Sequence, residues 1–177
     1  MQAHETDEDR IAAFHEAGHA VAAWAQGVGM DYATIGHEDG ATGRIALEQE
    51  PGLLGSTAGM ERMIRIALAG PIAQQRACGN AGIDQERAAA DMIIVRALFL
   101  VVSGGKIDSF PQFAARLTAE TESLICQPMN WARTLAVADA LAERRMLTGQ
   151  ELVEVIKAVP AGIDPPPPTC QISYAAM

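Results

Sequence analysis

The chain has 177 residues, 49% of them apolar and 20% charged, which suits one globular domain with a proper core and is short for two. A net charge of −9, with no basic cluster, excludes nucleic acid as an expected partner. Three widely spaced cysteines, Cys78, Cys126 and Cys170, make no CxxC pair. A disulfide framework or zinc ribbon is therefore not expected, and a reducing, cytoplasmic setting is.

The opening residues are acidic and carry no basic start followed by an apolar run, so no secretory leader is read there. Thr6 is the expected cap of a first helix, with Asp9 as a weaker capping-box partner and Asp7, Glu8 and Asp9 where the helix dipole favours negative charge. The helix is expected to run to about Gln26 and to stop at Gly27 and Gly29.

Within it lies His15-Glu16-Ala17-Gly18-His19, the pattern HExxH. Histidines four apart share one helix face, so both imidazoles can reach a single metal ion. Glu16 is offset by about 100°, which lets it reach a water on the metal without becoming a ligand. A carboxylate held against a zinc-bound water is the general base that amide hydrolysis needs. A helix can also carry these residues by accident. Against that, the motif is set among Ile11, Phe14, Ala17, Val21 and Trp24, where polar groups need a partner. Ala17 and Gly18 are small enough to let another segment approach.

From Met30 to Glu50 the pattern changes: Tyr32–Ile35 and Arg44–Leu47 are strand-like, with Gly36, Gly40 and Gly43 between them, and together they predict a β-hairpin. Its edge can pair with an extended peptide or serve only as a structural ribbon, and the pattern leaves both open. His37 reads as a solvated histidine of the turn. After a Gly/Ser/Thr loop over 51–59, apolar spacing from Met60 predicts a helix to about Ala77 that Pro71 kinks or divides. Met60 and Met63 read as core filler.

Residues 78–82 read as a turn and Asp84 opens a helix to about Val102. The stretch from Met92 to Val102 is the most apolar in the chain; it contains Arg96, is too short to span a bilayer, and reads as a buried helix. Asp84, Ala88, Asp91 and Val95 share one face of it. Zinc needs a third protein ligand, and both Asp84 and Asp91 qualify. Asp84 doubles as an N-cap, whereas Asp91 is mid-helix, where an unpaired carboxylate is costly.

A helix over 109–127 follows, ended by Pro128, then one over 129–145 with Trp131, Leu135, Ala138 and Leu141 as its buried stripe. Thr148-Gly149-Gln150-Glu151 is a capping box for a last short helix to Val159. The chain thus reads as one mainly α domain over 1–159 with a small β-hairpin, and a Pro-rich, flexible tail over 160–177.

Several stretches together resemble the peptidase domain of FtsH-type zinc proteases. These are HEAGH, Leu68-Ala69-Gly70, the segment Gly82-Ile83-Asp84-Gln85-Glu86-Arg87-Ala88, and 140–151. The match in order and spacing covers roughly residues 8–158. The resemblance implies a mainly helical metallopeptidase domain in which His15, His19 and Asp84 bind Zn²⁺ and Glu16 is the base. Pro71, Gln74 and Gln75 stand where the family pattern has an arginine and an acidic pair. No membrane anchor and no ATPase module is read in the chain. It therefore looks like a stand-alone, ATP-independent relative, for which a separate ATPase or self-association would supply substrate handling. The extended HExxHxxGxxH pattern is excluded by Ala22 and Ala25, and Glu61 is a glutamate alternative as third ligand.

The expected function is a zinc-dependent endopeptidase acting on unfolded polypeptides or peptides. The alternatives are a regulatory or adaptor protein that retains zinc for its fold, and a small-molecule amidase. An intact Glu16 speaks against the adaptor, since a structural zinc site needs no base and closes with four protein ligands.

Overall fold

In the computed structural model, residues 7–38, 41–79 and 85–162 are described. The protein is mainly α: the described residues form six α-helices and a small three-stranded antiparallel sheet. Helix α1 (Asp7–Ala25) is buried over most of its circumference from Ala12 to Ala23, which makes it the central element rather than an amphipathic cover. Its alanines let neighbours come close. At Gly18 the approach leaves no room for a side chain: a Cβ there would collide with the Ala69 carbonyl oxygen and lie 2.6 Å from Ala73 Cβ, both on α2 (Thr57–Cys78).

Helix α2 begins earlier than the apolar spacing indicates, because Ser56 caps it by accepting from the Gly59 N–H. Pro71 lies inside it without dividing it, contrary to one of the two expected outcomes. A missing N–H costs one hydrogen bond of a helix whose apolar face is otherwise packed on α1.

The expected hairpin is present as β1 (Met30–Glu38) and β2 (Ala41–Leu47), with register shifts between Met30 and Tyr32 and between Thr34 and His37. His37 is not in the turn: its backbone belongs to β1 and pairs with Thr42. A third strand, β3 (Met146–Thr148), joins the other edge of β1 through Ala33↔Leu147 and its neighbours. Thr148 ends that strand and caps α6 (Gly149–Ala158), with both halves of the expected box formed with Glu151. The expected cap Thr6 and the tail from 163 lie outside the described residues.

Helices α4 (Phe110–Cys126) and α5 (Pro128–Arg144) complete the bundle around α1, and α3 (Gln85–Val102) packs on α2. The reading of 92–102 as a buried helix is corrected here. Only Ala88, Asp91, Val95 and Phe99 of α3 are buried, while Ile93 is 68% and Val101 62% exposed. A helix with α2 on one side and no comparable neighbour opposite buries a single stripe, however apolar the rest of its sequence. No helix among the described residues is long and apolar enough to cross a membrane.

Candidate metal and catalytic centre

His15 and His19 leave the same face of α1 with ring centroids 4.7 Å apart, and both are buried. The outer nitrogen of each is fixed by α2. His19 Nδ1 lies 2.7 Å from the Ile66 carbonyl oxygen and His15 Nδ1 lies 2.8 Å from Gln74 Oε1. Both partners are acceptors, so each Nδ1 carries the hydrogen and donates. In the neutral rings both Nε2 lone pairs then point inward.

They meet a carboxylate there. Asp91, from α3, places Oδ2 3.0 Å from His15 Nε2 and Oδ1 3.5 Å from His19 Nε2. Asp91 Oδ2 is buried and has no hydrogen-bond donor among the described residues. Three acceptors converging in a buried place are costly without a cation between them. Donors about 2.0–2.1 Å from a tetrahedral zinc lie about 3.4 Å from one another, close to the separations found here. Two imidazoles and a carboxylate, with room for a fourth group, are also a donor set that zinc favours in catalytic sites. The residues present therefore fit the ion, and among the described residues this is the one cluster of at least three such donors close enough to share it.

The floor of the cluster is Gly70. A Cβ on it would collide with His19 Nε2, stand 2.5 Å from His19 Cε1 and 2.9 Å from His15 Nε2. The glycine of the Leu68-Ala69-Gly70 run is thus needed for space beside the two Nε2 atoms.

Glu16 lies in the wall of the same cleft, a cavity of about 420 Å³. Burial pushes its carboxyl up to about 7; His19 and Arg87 pull the other way, and Asp91 adds to the rise. Arg87, one helical turn before Asp91 on α3, has Nη1 3.7 Å from Glu16 Oε1. The cleft is bounded on one side by Gly43, Arg44, Ile45 and Leu47 of β2 and on another by Met63, Ile66 and Ala67 of α2. Met63, expected as core filler, packs against the core and also lines this wall.

Of the residues that the sequence singles out, His15, Glu16 and His19 come together. Asp84 lies outside the described residues. Glu61 is engaged elsewhere, paired with Arg65 at 3.1 Å and with Arg116 at 2.6 Å. Sequence reasoning missed two contributors. Gln74 is wholly buried and orients His15 from 59 positions away, and no local pattern announces such a contact. Arg87 had a signal that went unread: it is four residues before Asp91, on the same helix face. Compared with models of protein families and with curated proteins, the chain matches none.

Proposed function

We propose that the protein is a zinc-dependent endopeptidase of FtsH-like type, with His15, His19 and Asp91 as metal ligands and Glu16 as general base. The observation that carries this is the convergence of three buried acceptors from α1 and α3 beside a second carboxyl group, that of Glu16, which is not among them. Asp91 replaces Asp84 in this proposal because it is the described carboxylate that meets both histidines.

Bound zinc would supply the Lewis acidity that makes water a nucleophile at neutral pH. The chain's own residues do the rest. Glu16, buried in the cleft wall and with its carboxyl raised to about 7, is suited to take a proton from the attacking water and return it to the leaving amine. Gln74 and the Ile66 carbonyl hold the imidazoles in the tautomer that faces the metal. Among the described residues strand β2 pairs on one edge only, with β1, and its residues line the cleft. An extended, unfolded polypeptide can add to that edge as a further strand, which delivers a backbone amide rather than a particular side chain.

A zinc-loaded preparation should cleave a denatured, fluorescently quenched protein. Glu16→Gln should keep the zinc and lose at least about 10²-fold in turnover, the lower end of what a positioned base contributes. Equal turnover in the two would remove Glu16 from the mechanism.

A further inference from the structure

The base does not stand alone in the cleft wall. Arg87 approaches it from α3, with 3.7 Å between Nη1 and Glu16 Oε1, and both side chains are largely buried. Asp91, one turn further along α3, faces the two histidines, so a single helix face presents the metal-side carboxylate and this cation together. Strand β2 contributes an omission. Gly43, with φ +116°, has no side chain where a Cβ would come 2.9 Å from Arg87 Nη1 and 3.0 Å from Glu16 Oε1. Any larger residue would crowd both groups at the cleft.

We propose that Arg87 is a second catalytic residue, whose guanidinium donates to the carbonyl oxygen of the scissile bond as that oxygen takes up negative charge. The proposal rests on the peptidase reading above. In the step concerned, water loses a proton to the Glu16 carboxylate and its oxygen bonds to the carbonyl carbon. The carbonyl π pair moves onto oxygen. Glu16 is thereby neutralised as a negative charge appears on the substrate, so Arg87 exchanges one anionic partner for another within the same wall. When the pair returns, the C–N bond breaks and the proton on Glu16 goes to the leaving amine. A cation whose counter-charge moves to the substrate during the reaction binds the transition state better than the ground state, which is what raises turnover. A largely buried guanidinium already placed in the cleft wall has little reorganisation to undergo at that moment.

The test compares binding of two ligands with turnover. Zinc-loaded protein and its Arg87→Ala variant are titrated calorimetrically with a peptide phosphonate, whose tetrahedral anion resembles the oxyanion. The parent peptide is titrated into Glu16→Gln and Glu16→Gln/Arg87→Ala. Arg87→Ala should weaken the phosphonate by at least about 10²-fold, the scale of one lost oxyanion donor, and lower kcat by a similar factor with KM little changed. The parent peptide should bind within about 3-fold, since a ground-state carbonyl carries no such charge. Zinc content should stay at the wild-type level. Equal weakening of phosphonate and peptide, or of neither, overturns the assignment. If the alanine variant fails to fold, Arg87→Lys keeps the charge but not the fork and should lie between the two; wild-type behaviour of that variant toward the phosphonate and in kcat would count against a directed donor. A wild type that cleaves normally while Arg87→Ala is unaffected refutes this role alone, whereas a zinc-loaded wild type that neither cleaves nor binds the phosphonate refutes the peptidase reading with it.

Discussion

Gly70→Ala is the smallest change that should empty the proposed metal centre. In a helix interior the substitution favours folding by about 1 kcal/mol, so propensity alone says the variant is more stable. The surroundings say otherwise. The new Cβ would stand 2.5 Å from His19 Cε1, where an ordinary carbon contact is about 3.5–4.0 Å. The ring must retreat by about 1 Å to restore that contact, and its Nδ1 is held at 2.7 Å by the Ile66 carbonyl. Overpacking of this kind costs about 1–3 kcal/mol, so the metal-free variant should be destabilised by no more than about 2 kcal/mol. It should still fold. Metal ligands tolerate displacements of only about 0.2 Å, so a 1 Å retreat should cost at least about 10²-fold in zinc affinity, or ~2.7 kcal/mol. The assays are competition with a chromophoric chelator for zinc and urea unfolding of the metal-free protein. Wild-type zinc affinity in a folded Gly70→Ala protein would refute the placement of both histidines around this glycine.

Other consequences are as specific. Gln74→Leu removes the acceptor that orients His15 and should weaken zinc about 10–100-fold, measured by the same competition. In the metal-free protein the raised Glu16 carboxyl penalises folding once it ionises: the penalty is absent below about pH 4.5, grows as pH rises from there and is complete above about 7. Glu16→Gln should therefore match wild type at pH 4.5 and exceed it by up to about 3 kcal/mol at pH 8; parallel unfolding free energies across that range would contradict the buried environment. On α3, Ile93→Ala should change stability by less than about 0.5 kcal/mol and Val95→Ala should cost about 1–3 kcal/mol, because the first is exposed and the second wholly buried. Thermal unfolding of the two variants checks this.

What was legible in the chain followed from local periodicity. The His15–His19 spacing, the Thr148–Glu151 box and the Gly-punctuated strands are short-range patterns, and each sits where its spacing implies. Strand β3 was not legible: three residues carry no alternation, and they are a strand because β1 offers them an edge with Leu147 buried beneath. The apolarity of α3 marked a helix but not how many neighbours it has, which is a property of the packing. The third ligand shows the limit most clearly. The cost of an unpaired mid-helix carboxylate points to Asp91, the resemblance points to Asp84, and a choice between them depends on where α2 holds α3 relative to the two histidines. Gln74, which reads as a departure from the family pattern, is the acceptor that holds His15.

That His15, His19 and Asp91 together hold one zinc ion is tested most directly by zinc affinity in four proteins: wild type, His19→Ala, Asp91→Ala and Asp84→Ala. Wild type and Asp84→Ala should each bind one zinc per chain with similar affinity. Loss of a ligand should weaken His19→Ala and Asp91→Ala by at least about 10²-fold, more than loss of an orienting partner does. Retained affinity in Asp91→Ala alongside loss in Asp84→Ala would contradict the assignment and make Asp84 the third ligand.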